Sequence, residues 1–122
     1  MPHIIIDYSR GAGEHVAMDR LTLTVHRCVR DGGLVEPSAV RTLAREATYS
    51  CVGDEHTDHH FIQIIVRMAP GRTAETKQKL LAAVLEAART VAAPALEAGR
   101  LGLRADLYES DPDFAVQAIA FA

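Results

Sequence analysis

The sequence predicts an α/β fold of the α+β kind: a duplicated βαβ unit whose four-stranded sheet, mostly parallel within each unit, carries two helices on one face. Three observations lead there. The hydrophobic pattern runs strand, helix, strand and then strand, helix, strand again. Both helical stretches are long enough to cross over between parallel strands. Each unit also repeats a strand followed by turn residues ahead of its helix, Ser9-Arg10-Gly11 and Pro70-Gly71-Arg72, about 60 residues apart.

The first strand is read at residues 3–8, where Ile4-Ile5-Ile6 and Tyr8 form a β-branched and aromatic run without alternation, suited to burial on both faces. After the turn residues 9–13, Leu21, Val25, Cys28 and Val29 recur at helical spacing until Gly32-Gly33, giving a helix over about residues 14–31. From Pro37 to Cys51, Val40, Thr42 and Thr48 interleave with Arg41, Arg45 and Tyr49, which reads as one extended, bent strand. Asp54-Glu55-His56-Thr57-Asp58 is a polar loop.

The third strand alternates most clearly, with Ile62, Ile64, Val66 and Met68 on one face and Phe61, Gln63, Ile65 and Arg67 on the other, as expected for a central strand. Pro70-Gly71 breaks it. Thr73 is placed to cap a second helix, with Glu75 in its first turn and a stripe of Leu80, Leu81, Val84, Leu85, Ala88, Val91 and Ala92, and Pro94 is expected to kink or end it. Leu101, Leu103, Ala105 and Leu107 alternate with Gly102, Arg104, Asp106 and Tyr108 as a last half-buried strand. The tail from Phe114 to Phe121 is apolar for a chain terminus and is expected to dock on something.

The 122 residues, 48% hydrophobic and 24% charged, suit one domain over 1–122 with halves at about 2–58 and 59–122. Two helices on one sheet face leave the other uncovered, so several subunits are expected to associate. Uncharged stretches such as 90–96 are far shorter than the roughly 20 apolar residues of a membrane helix, and the start lacks the pattern of a secretory signal, so a cytoplasmic location is expected. Cys28 and Cys51 are then free thiols. The 11 Arg and 2 Lys are scattered without a basic run, which argues against nucleic acid as a partner.

Four places carry chemistry. Pro2 becomes a secondary amine at the start of a strand if Met1 is removed, and burial or a neighbouring Arg lowers such an amine from its usual pKa of about 8 toward neutrality, where a general base works best. Arg41, in the second strand, and Arg72, at a strand end opening a helix, are placed to meet an anion, although a surface Arg is more often solvated or ion-paired than ligand-binding. Asp54, Glu55, His56, Asp58, His59 and His60 hold enough ligand atoms for a metal. His59 and His60, however, are adjacent at a strand start and project to opposite faces, and no second patch supplies a ligand pair, so a solvated loop without metal is expected. His3 and His26 have no partner in sequence.

Together, Pro2-His3-Ile4-Ile5-Ile6, Val40-Arg41-Thr42 and the run from Asp58-His59-His60-Phe61 through Arg67-Met68-Ala69-Pro70-Gly71-Arg72-Thr73 resemble the 5-carboxymethyl-2-hydroxymuconate isomerase family, a branch of the tautomerase superfamily. The resemblance covers nearly the whole chain, with Leu43 standing where the family often has a basic residue and residues 45–57 matching poorly. It implies a tautomerase-like homotrimer and a cofactor-independent isomerase of homoprotocatechuate breakdown. In that reaction Pro2 shuttles an allylic proton, and Arg41 and Arg72 bind the carboxylates of a 2-hydroxymuconate-type dienol. Two other readings stay open: a superfamily hydratase, dehalogenase or decarboxylase using Pro2 as an acid, for which Glu46, Tyr49 and Tyr108 are the available water-activating groups, and a non-catalytic anion- or metal-binding trimer.

Overall fold

β1 (His3–Tyr8) pairs in parallel with β2 (Arg41–Glu46) and antiparallel with β3 (His60–Met68), which pairs in parallel with β4 (Leu101–Glu109). The sheet order in this computed structural model, which describes residues 1–120, is therefore β2-β1-β3-β4. Two crossover helices, α1 (Met18–Arg30) and α2 (Ala74–Glu97), complete the expected pair of βαβ units.

Both helices pack on the same sheet face. Ile4 and Ile6 from β1 and Ile62, Ile64, Val66 and Met68 from β3 meet Leu21, Val25 and Val29 of α1 and Leu80, Val84, Ala88 and Ala92 of α2 in one buried cluster. The other face is open. The ladder sets His3, Ile5 and Asp7 beside Arg41, Leu43 and Arg45 on one side and Arg67, Ile65 and Gln63 on the other, a half-exposed mixture of apolar side chains and surface ion pairs such as Arg45–Asp7. The isoleucine run of β1 is thus buried on both faces only in part: Ile4 and Ile6 are fully enclosed, whereas Ile5 is half-buried.

Three boundaries differ from the sequence reading. α1 begins at Met18 because residues 12–14 close a 3-10 turn after Gly11, whose φ of +85° is left-handed, and Ala17 has a non-helical backbone. β2 is only six residues long: Pro37–Ala39 is a 3-10 turn, and beyond Glu46 its partner has ended, Tyr8 being the last residue of β1 in register. Pro94 does not end α2, which runs on to Glu97. Its last turn is held by burial of Ala95 and closed by Ala98 N–H donating to the Pro94 carbonyl at 3.0 Å and Arg100 N–H to that of Ala95 at 3.0 Å. The Thr73 cap is as read, its Oγ1 accepting from Thr76 N–H at 3.2 Å.

The tail is exposed as far as it is described: Phe114 is 87% exposed and Val116 is fully so, while Phe121 lies outside the described residues. Ser9, the one buried polar residue described, ties the end of β1 to the start of β3, accepting from Phe61 N–H at 2.9 Å. Replacing Ile64 by Ala at the centre of the cluster is expected to cost about 2–5 kcal/mol in equilibrium denaturation at fixed protein concentration, whereas Lys79→Gln on the solvated side of α2 should stay within about 0.5 kcal/mol.

Candidate active site

The amino-terminal end of β1 gathers the residues singled out by sequence. Pro2 is buried directly before the strand, and its carbonyl accepts from Arg41 N–H at 3.0 Å, so the first residue of β2 is fixed against it. Arg72 is brought to the same end by the turn after β3, where Gly71 has a φ of +123° that a side chain rarely tolerates. Its guanidinium donates to the Leu34 carbonyl at 2.6 Å and to the Ala69 carbonyl at 3.2 Å, which fixes its direction. Pro2 and Arg72 line one cavity of about 130 Å³ with Met1, Val35 and Met68. Arg41 adjoins it through its main chain, while its Nη1 donates to the carbonyls of Ser38 at 2.9 Å and Val40 at 3.1 Å.

Beside this cavity a wider cleft of about 580 Å³ opens on the uncovered face, between Met1, His3 and Arg67 and the tail at Ser110, Pro112 and Val116. Arg67 is the residue that the strand pattern alone does not single out. It reads as one polar position on an alternating strand, and only the antiparallel register sets it opposite His3, with Tyr108 of β4 on its other side. Three guanidinium-bearing residues, Arg41, Arg67 and Arg72, therefore stand at one end of a chain whose net charge is -3. His3 registers that field. Its pKa is held below the ordinary value of 6.5 by burial first, then by Arg67, the amino terminus and Arg41.

The remaining candidates separate. Tyr108 lies at this same end, whereas Glu46 pairs with Tyr8 at the far end and accepts from Gly11 N–H at 3.2 Å, and Tyr49 is almost fully exposed. His26 has a partner after all, Thr42 Oγ1 at 2.7 Å from its Nδ1. Cys28 and Cys51 are free, and burial pushes the Cys28 thiol up. In the histidine-rich loop, His56 and His59 stack with ring centres 4.1 Å apart, while His60 turns inward to Ser9 and comes together with Asp58 and with His15, which the sequence reading did not connect to them. No helix among the described residues is long and apolar enough to cross a membrane.

Because the folded chain binds the His3 proton less tightly than the unfolded chain, His3 takes nothing from stability above about pH 6.5 and destabilises the fold progressively as the pH drops below it. Histidine NMR titration should show His3 protonating at lower pH than a free imidazole, and Arg67→Gln should move it back up. An unchanged midpoint in that variant would show that Arg67 does not act on His3.

The family model described as 5-carboxymethyl-2-hydroxymuconate isomerase matches residues 2–120. No curated protein matches the chain. Among solved structures, a 5-carboxymethyl-2-hydroxymuconate delta-isomerase is 23% identical with a TM-score of 0.83, covering 100% of this chain and 89% of its own. A 5-carboxymethyl-2-hydroxymuconate isomerase from Deinococcus radiodurans R1 is 18% identical with a TM-score of 0.86, over 96% of this chain and 88% of that one. A fused 4-OT solved as a symmetric trimer is 17% identical with a TM-score of 0.67, over 94% and 93%. With the fold common to all three and the family match running from Pro2 to Ala120, the chain belongs to the 5-carboxymethyl-2-hydroxymuconate isomerase family, a family of tautomerase-type isomerases.

Proposed function

We propose that the chain ketonises a carboxylated 2-hydroxymuconate-type dienol by an allylic proton shift, with Pro2 as the base and Arg41 and Arg72 as carboxylate binders. The observation that carries this is the buried Pro2 sharing a cavity with Arg72 and hydrogen-bonded through its carbonyl to Arg41. A proton shuttle needs a group that is neutral at working pH and regains neutrality on delivery, which a buried amine near guanidinium groups satisfies. Removal of Met1 creates that amine. It also takes one side chain off the walls of both cavities.

In the reaction, the Pro2 nitrogen accepts the proton released from the enol and returns it to carbon at the far end of the conjugated system, leaving a conjugated ketone and an unchanged amine. The electrons move only within the substrate, so the step asks for no cofactor. Arg72, already directed by two backbone carbonyls, offers its remaining donors to a substrate carboxylate or to the oxygen where charge develops. Arg67 and Arg41, whose charges add to burial in lowering the His3 pKa, favour a polyanion on the same side. The uncovered sheet face, with Ile5, Leu43 and Ile65 in register, supports burial between three copies of the chain. The reading implies a cytoplasmic enzyme of aromatic-compound breakdown.

Intact-mass measurement joined to a ketonisation assay with a simple 2-hydroxydienoate tests the mechanism. Activity should rise with pH through an apparent pKa below the value of about 8 for a free α-amino group. Pro2→Ala should keep a small residual rate and a chain retaining Met1 none, because an amide nitrogen accepts no proton. A Met1-bearing chain working at full rate would sink the proposal.

Arg41→Ala and Arg72→Ala should each lower kcat/KM on dicarboxylated dienols by about tenfold to hundredfold, the worth of a lost charged hydrogen bond, with partial rescue by Lys. Wild-type values in both variants would remove the anion clamp. Sedimentation velocity at micromolar concentration should show a trimer, and a monomer there would rule the assembly out.

A further inference from the structure

We propose that His15, Asp58 and His60 form a binding site for one divalent transition-metal ion of the zinc class, at the opposite end of the sheet from Pro2. One donor atom from each lies within 4.8 Å of the others. They come from two segments far apart in sequence: His15 from the turn before α1, and Asp58 and His60 from the end of the β2–β3 loop and the first position of β3. With seven residue steps along β1 from Pro2 to Ser9, which His60 contacts, the site is roughly 23 Å from Pro2 at the usual rise per strand residue.

The donor set is what such an ion selects. Two imidazoles and a carboxylate are borderline ligands that suit zinc, nickel or copper, and they leave one or more positions open. Two of the three donors are also oriented by a second contact. Ser9 Oγ lies 3.3 Å from His60 Nδ1, which leaves Nε2 to ligate. Arg100 holds Asp58 Oδ2 in an ion pair, leaving Oδ1 directed at His15, whose Nε2 is 3.9 Å away. Around a tetrahedral ion, neighbouring donors stand roughly 3.4 Å apart, so the three close onto the metal by a rotation of the exposed His15.

The surroundings admit the ion. The cluster opens into a cleft of about 570 Å³ whose walls also carry Glu14 and Glu55, acidic groups that offset Arg10. Gly11 supplies clearance: a Cβ there would stand 3.3 Å from His60 Cε1. An ion in this place joins the long β2–β3 loop to the sheet, so it stabilises the fold as well as binding to it.

Zinc titrated calorimetrically into the EDTA-treated full chain, with cobalt absorption as a second probe, decides the matter. The expected result is one ion per chain, a raised Tm, and affinity lowered at least about tenfold by His15→Ala and by His60→Ala. His15 is exposed, so its variant should fold even if the His60 variant does not. The His56→Ala/His59→Ala double variant and Cys51→Ser should keep wild-type affinity. Absence of zinc binding at micromolar concentration, unchanged affinity in His15→Ala, or loss of binding in either control variant would overturn the proposal.

Discussion

Everything in this molecule hangs on the antiparallel contact between β1 and β3. Each βαβ unit alone offers two strands and a helix, too little to enclose an apolar face. Joined along that seam, Ile4 and Ile6 pair with Val66 and Ile64, and all four side chains are lost to solvent. At about 1.5–3 kcal/mol for each fully buried aliphatic side chain, this central row is a large share of what stabilises the fold. The right-handed crossover then settles the rest, since both helices must fall on the face that the row presents.

The same seam organises the electrostatics. By setting Arg67 opposite His3, with Arg41 on the other side of β1, it concentrates positive charge at one end of an otherwise acidic chain. Local charge, and not net charge, therefore decides what that end attracts. Arg41 and Arg72 share a further property. Each guanidinium donates to two main-chain carbonyls, so it is positioned before any ligand arrives and loses little rotamer freedom on binding one.

What could be read in the sequence was what depends on local periodicity. The alternation of Ile62, Ile64, Val66 and Met68 and the stripe of α2 follow from spacing alone, and the structure buries them as read except for Leu81 and Leu85, which are half-buried at the edge of the stripe. Boundaries set by a partner were not legible: β2 stops at Glu46 because β1 stops at Tyr8, whereas Thr48 and Tyr49 beyond it suggested more strand. The site divides in the same way. Pro2 and Arg72 stand beside turns and strand ends that can be recognised locally, but Arg67 acquires its neighbours through the sheet register. His15 meets His60 only after 44 intervening positions have folded back, and no spacing rule anticipates that.

The pairing order β2-β1-β3-β4 also carries an approximate two-fold axis through the seam, which exchanges the two units and sends one end of the sheet onto the other. Under that exchange Ile4 and Ile6 fall on Ile62 and Ile64, and His60-Phe61, opening β3, falls where Pro2-His3 opens β1. The two places have the same geometry but different covalent fates. One lies next to the amino terminus, where removal of Met1 would expose an amine; the other continues by a peptide bond into the preceding loop and can never present one. A duplicated scaffold of this kind holds a second pocket-forming end that proline chemistry cannot use, and its side chains are free to serve a different ligand.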